Sequence, residues 1–196
     1  MRGNAAVSLE MFERDVQHVV DEYLRGEITE EFLINDGRAW DNYETDYKPV
    51  IEFAKTNQLP VIAANAPRRY VRIVSSKGIE ELNDLNTEAL KSFVPLPIRY
   101  PESNAYRDKF FELMRRPAEG TAAAPHTAQM PDNILMRIYQ AQILWDATMA
   151  YSIGQYYKDN PQVPIVHFNG SFHSDHFMGI VGHLKRDHRE MKIITL

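Results

Sequence analysis

The chain has no cysteine among its 196 residues. That excludes disulfide staples, thiolate zinc sites and cysteine nucleophiles, and it leaves the redox compartment open. No stretch approaches the roughly 18 consecutive apolar residues that a membrane helix needs, so no transmembrane helix is expected. Met1 to Gly3 lead straight into Ala5, Ala6, Val7, Ser8 and Leu9, without the charged and apolar regions of a signal peptide, so the chain as given carries no address. An excess of positive charge is also missing, with 22 Lys and Arg against 27 Asp and Glu, a net charge of -5 and a pI near 5.8. Nucleic-acid binding needs a concentrated basic face. The basic residues of 99–116 and 185–192 are mixed with acids, as on solvated helix faces, so no nucleic-acid partner is expected. There is no internal repeat.

The residues that are present suit one core. A content of 44% hydrophobic and 25% charged residues over this length fits a single domain, 1–196, with a helical insertion at about 79–130. Ala5 to Leu9, Pro60 to Ala64 and Val163 to Phe168 are short, largely apolar segments, each followed by small or polar residues and then a helical pattern. Such runs are predicted to be strands of a parallel sheet buried on both faces, and Lys192 to Leu196 is predicted to be a fourth. Strands this far apart need helical crossovers, so the expected fold is α/β, a mostly parallel sheet flanked by helices. Ligands of such sheets bind at the carboxyl ends of the strands.

Helices are expected over 15–26, 28–34, 45–57, 67–78 and 132–158, with shorter pieces over 80–93 and one around Phe110 to Met114 ending at Pro117. Pro49 and Pro67 fit first turns of helices. The stretch Val94-Pro95-Leu96-Pro97 interrupts regular structure, and Glu119 to Ala128 is predicted to be a loop. The stretch 132–158 is the longest, and it reads as the central packing helix.

Four constellations could carry chemistry. After the third strand, Gly170 allows a sharp turn, and His173 and His176 are expected three apart on one face of the next helix. Neutral imidazole ligates haem iron, zinc or copper, although one of these histidines could simply cap the turn while the other is exposed. Glu10 ends the first strand at the sheet rim, where it either meets a ligand or caps the helix that follows; Glu13 is close by. After the second strand, Arg68 and Arg69 can hold a carboxylate or phosphate through two hydrogen bonds, or neutralise an acid such as Glu10 or Asp146. Trp40 and Tyr47 offer flat rings, and a tyrosinate can ligate haem iron, but core or rim packing explains such residues as well. Asp146, in mid-helix among apolar residues, needs a partner if it is buried.

Taken in order, these segments resemble the ChaN-like family across nearly the whole chain. The resemblance is carried by Leu9 to Gln17, Trp40 with Tyr47 and Pro49, Pro60 to Arg69, Ala141 to Ala150, and Asn169 to His173. It implies a haem-binding protein linked to iron or haem acquisition, often a lipoprotein, in the periplasm or anchored to a membrane of the bacterial envelope. Haem is the implied cofactor, held by Arg68 or Arg69 with His173, His176, Tyr47 and Trp40; a homodimer is left open. The wider Tiki, TraB and erythromycin-esterase-like group is similar in using Gly-x-x-His motifs for metal-dependent hydrolysis. Gly170 to His173 matches the second such motif, which gives an alternative divalent-metal site at Glu10 and His173. The first motif, Gly-Glu-x-His, has no counterpart, so the chain is expected to be N-terminally truncated. A non-catalytic interaction module is the third reading.

Overall fold

The computed structural model describes residues 5–101, 103–115 and 130–196. Its centre is a three-stranded parallel sheet of β1 (Ala6–Glu13), β2 (Val61–Asn65) and β3 (Ile165–Phe168) in the order β2-β1-β3. Residues 6–9 of β1 are buried on both sides, which is why they lack exposed polar positions; the polar one, Ser8, is buried against His167. β3 borders the sheet and shows half-exposed Val166 and Phe168. The expected fourth strand, 192–196, does not form: Met191 and Ile193 pack onto the core while Ile194 and Leu196 face solvent. Alternate side chains satisfy the apolar pattern there with no ladder.

The sheet has a helical layer on each face. Val7, Leu9 and Met11 pack against α1 (Gln17–Arg25), α2 (Glu30–Asp36) and α3 (Lys48–Thr56) through Val20, Leu33 and Ile51. Ala6, Ile62 and Ala64 face α7 (Asp132–Asp159) and α8 (Ile180–Asp187) through Met149, Ile153 and Leu184. The two sets alternate along β1, as the period of two requires. A third cluster lies beyond the strand ends, where α4 (Arg68–Lys77) and α6 (Ala105–Arg115) pack on the first half of α7 through Val74, Tyr106, Phe110 and Ile143. At 28 residues α7 is roughly 42 Å long, enough to serve both the sheet face and this outlying cluster. Within the region 79–115 the chain forms a 3-10 segment, Ile79–Asp84, then α5 (Thr87–Leu90) and α6. The predicted loop Glu119 to Ala128 and the predicted stop at Pro117 lie outside the described residues.

Candidate functional site at the carboxyl ends of the strands

β1 does not stop where the apolar run stops. Leu9 pairs with Ala63 but Glu13 with Asn65, so β1 gains extra length over β2 in a bulge. Bulges redirect side chains, and this one spans Glu10 at the sheet rim. Asn65 fixes it: its Nδ2 donates to the Glu10 carbonyl at 2.9 Å, while its Oδ1 accepts from the backbone N–H of Ala66 at 2.9 Å.

The Glu10 carboxylate meets the turn after β3. Its Oε2 accepts the Gly170 N–H at 2.7 Å, and its Oε1 lies 3.4 Å from Nε2 of His173. His173 Nδ1 lies 2.5 Å from Oδ1 of Asp146, and the other oxygen of Asp146 accepts the Tyr106 hydroxyl at 2.5 Å. Gln142, one turn before Asp146 on α7, reaches both Tyr106 Oη, at 3.2 Å, and the His173 ring, at 3.0 Å. Asp146 is fully buried, and the partner its position requires is thus a double one.

The charges follow from this arrangement. Burial alone would lower the His173 pKa, but the hydrogen bonds and charges of Asp146 and Glu10 outweigh it and raise it to about 10, so the ring is an imidazolium at neutral pH. Burial would raise the Glu10 pKa, yet His173 and the Gly170 N–H hold it below the usual carboxylate range. Burial beside Asp146 keeps the Tyr106 phenol protonated. His167, paired in register with Ser8, places Nδ1 2.9 Å from the Ser8 hydroxyl. Burial pushes its pKa down to about 4, leaving a neutral ring whose Nε2 is buried without a partner among the described residues.

In front of Glu10 opens a cavity of about 510 Å³, lined by β1, β2, α4, α6 and α7. Glu10, Asn65 and Trp40 form part of its floor and rim, Arg68 and Arg72 come from α4, and Phe110, Met114, Ile138 and Trp145 make an apolar wall. Trp40 meets Tyr47 edge-on at 5.7 Å between ring centroids. Burial, then the charge of Glu10, raises the Tyr47 pKa.

The residues singled out in the sequence separate into three groups. Glu10, Arg68 and Trp40 line the cavity; His173 stands behind them, bonded to Glu10 and Asp146, with Tyr47 beside Trp40. Arg69 turns to Asp15 at 2.5 Å and lies over the Tyr70 ring, so it does not line the cavity. His176 is the clearest departure from expectation. It falls inside the second of two 3-10 turns, Ser171–His173 and Asp175–Phe177, where its φ of 55° breaks the helical geometry, and it is exposed while His173 is buried. The next α-helix begins only at Ile180, after Gly179. There a Cβ would stand 2.4 Å from the His173 carbonyl oxygen, and φ is 53°, so glycine lets the chain pass close behind the histidine. Glu13 accepts the Arg68 N–H at 3.0 Å, satisfying one of the orphan donors of α4. Sequence reasoning missed Tyr106 and Arg72, and it singled out neither His167 nor Gln142.

The architecture is that of an α/β domain with a ligand cleft at the carboxyl end of a parallel sheet. Residues 1–184 match the family described as haem-binding uptake, Tiki superfamily, ChaN, so the chain belongs to that family. A solved structure described as cofacial heme binding to ChaN of Campylobacter jejuni has the same fold, with a TM-score of 0.63 at 17% identity. The match covers 93% of this chain and 62% of the other. No curated protein matches the chain.

Proposed function

We propose that the protein binds haem in the cavity at the strand ends and serves iron or haem acquisition in the bacterial envelope, as a periplasmic or membrane-anchored component. The observation that carries this reading is the two-sided lining of the cavity. Phe110, Met114, Ile138 and Trp145 offer an apolar wall to a flat ring, while Arg68 and Arg72 offer guanidiniums to acidic substituents. A porphyrin has that chemistry, an apolar plane with two propionates. The family description, haem-binding uptake, supports both the ligand and the acquisition role. Bound haem would supply a redox-active iron. The chain's own residues supply the apolar wall, the cationic edge and, through His173 and Gly170, a Glu10 held in place. His173 has both ring nitrogens engaged, so its Nε2 becomes available to iron only by giving up Glu10.

Titration with hemin tests the reading, followed by Soret absorbance and by the fluorescence of Trp40 and Trp145, the chain's two tryptophans. Saturable binding with a shifted Soret band and quenched emission is expected. Linear, non-saturating absorbance with unquenched tryptophan would remove the proposal.

One observation favours a second reading, a divalent-metal site of a hydrolase. The 3.4 Å between Glu10 Oε1 and His173 Nε2 matches the edge of a tetrahedron with metal bonds of roughly 2.0–2.1 Å. An ion there would have to displace the His173 proton. Among the described residues no group of three His, Asp or Glu is placed to hold it. Zinc binding that releases protons and disappears in His173→Gln would support this reading; an equal zinc content in both proteins would end it.

A further inference from the structure

We infer that Arg68 and Arg72 together form the acidic-edge clamp of the cavity, that Arg69 takes no part, and that the cavity thereby selects planar ligands bearing two free carboxylates. This rests on the haem-binding reading and adds to it the basis of selectivity. Helical geometry separates the three arginines. Residues four apart project about 40° from one another, whereas neighbours diverge by about 100°. Arg68 and Arg72 therefore share a face of α4, and both line the cavity, with Val71 between them and Ser75 one turn on. Arg69 points elsewhere and is held there by Asp15 and the Tyr70 ring.

Two acids also line the cavity, Glu10 and Glu13, but each is answered from outside it. Glu10 faces the His173 imidazolium and the Gly170 N–H, and Glu13 faces Arg38 at 2.7 Å and the Arg68 N–H. Among the described residues, neither the Arg68 nor the Arg72 guanidinium has an acidic partner, and both are exposed. The rim is thus cationic on the α4 side and neutralised opposite, across from an apolar wall. Two guanidiniums one helical turn apart suit two carboxylates on adjacent arms of one ring better than a single small anion, which would leave the apolar wall empty.

The test uses hemin, its dimethyl ester and iron-free protoporphyrin IX with the wild-type protein, with Arg68→Gln/Arg72→Gln and with Arg69→Gln. The wild-type protein is expected to bind hemin tighter than the ester by roughly tenfold or more, the worth of a charge-assisted hydrogen bond. The double variant should lose that preference by weakening for hemin while binding the ester as the wild type does. Protoporphyrin IX should weaken in parallel with hemin, because the clamp does not touch the iron, and Arg69→Gln should change none of the affinities. Both arginines of the double variant are exposed and without acidic partners among the described residues, so its melting temperature should be that of the wild type. Equal affinity of the wild type for hemin and ester, or a double variant that still prefers hemin, would overturn the clamp while leaving haem binding in place. Failure of the wild type to bind any of the three porphyrins would overturn both.

Discussion

Behind the cavity and in front of it, charge is handled in opposite ways. Behind it, Glu10, His173, Asp146, Gln142 and Tyr106 form a continuous buried network in which each charged group has at least two partners. In front of it, Arg68 and Arg72 stand exposed, with no acid answering their side chains among the described residues. A satisfied buried network fixes geometry, because any rearrangement strands a charge in low dielectric. An unanswered cation beside an apolar wall contributes nothing to the fold that solvent would not supply, so its value lies in what binds to it. The comparison therefore assigns positioning to the network and recognition to the α4 face.

The largest expected effect tests the positioning half. Asp146→Ala leaves the His173 imidazolium facing Glu10 alone and strands the Tyr106 hydroxyl inside the core. Breaking a buried pair in this way costs about 3–5 kcal/mol, measured as a shift of the urea midpoint at unchanged slope. A loss below about 1 kcal/mol, the scale of an exposed pair, would mean that the network is not closed as described.

The next effect is a pH dependence. The folded His173 pKa, about 10, lies above its ordinary value of 6.5. Its contribution to stability is complete below about 6.5 and is lost as pH rises through about 10. Glu10, whose pKa is lowered, contributes above its ordinary value of 4.5 and loses that contribution on acidification. The wild type should therefore lose urea stability from pH 7 to 10 more steeply than His173→Gln, which lacks the titrating ring. Lysines and tyrosines that titrate near the upper end are common to both proteins, so the difference in slope isolates His173. Parallel curves would contradict an imidazolium at this position.

Parts of this contrast were readable in the sequence, for definite reasons. Ala6 to Leu9 and Val61 to Ala64 announced buried parallel strands because both faces of a parallel sheet are covered, and Asp146 announced a partner because an unpaired carboxylate cannot remain among Leu144, Ala147 and Met149. The partner's identity was less visible, since Tyr106 comes from a separate helix 40 positions away. His176 misled because its left-handed backbone, followed by another at Phe177, breaks the helical spacing that the two histidines suggest. Residues 192–196 misled because alternate burial against a core imitates a strand without needing a ladder. Arg68 and Arg69 could not be told apart before the start of α4 was fixed, and Arg72 looked like any basic residue on an amphipathic helix.

The smallest expected effect separates those arginines by stability alone. Arg69 is half exposed and pairs with Asp15, which Arg38 also contacts. Its loss in Arg69→Gln leaves Asp15 one of its two partners and should cost roughly 0.2–1 kcal/mol, the range of partly solvated pairs. Arg68→Gln and Arg72→Gln remove side chains without acidic partners among the described residues and should stay within about 0.5 kcal/mol of the wild type. The ordering matters more than the magnitudes, because the same three substitutions are expected to rank in reverse for hemin affinity. An arginine that matters to the fold and not to the ligand, next to two that matter to the ligand and not to the fold, is what a single helix turned between an ion pair and an open cavity should produce. If Arg72→Gln proved as costly to folding as Arg69→Gln, Arg72 would have an intramolecular partner, and the cationic rim of the cavity would shrink to Arg68.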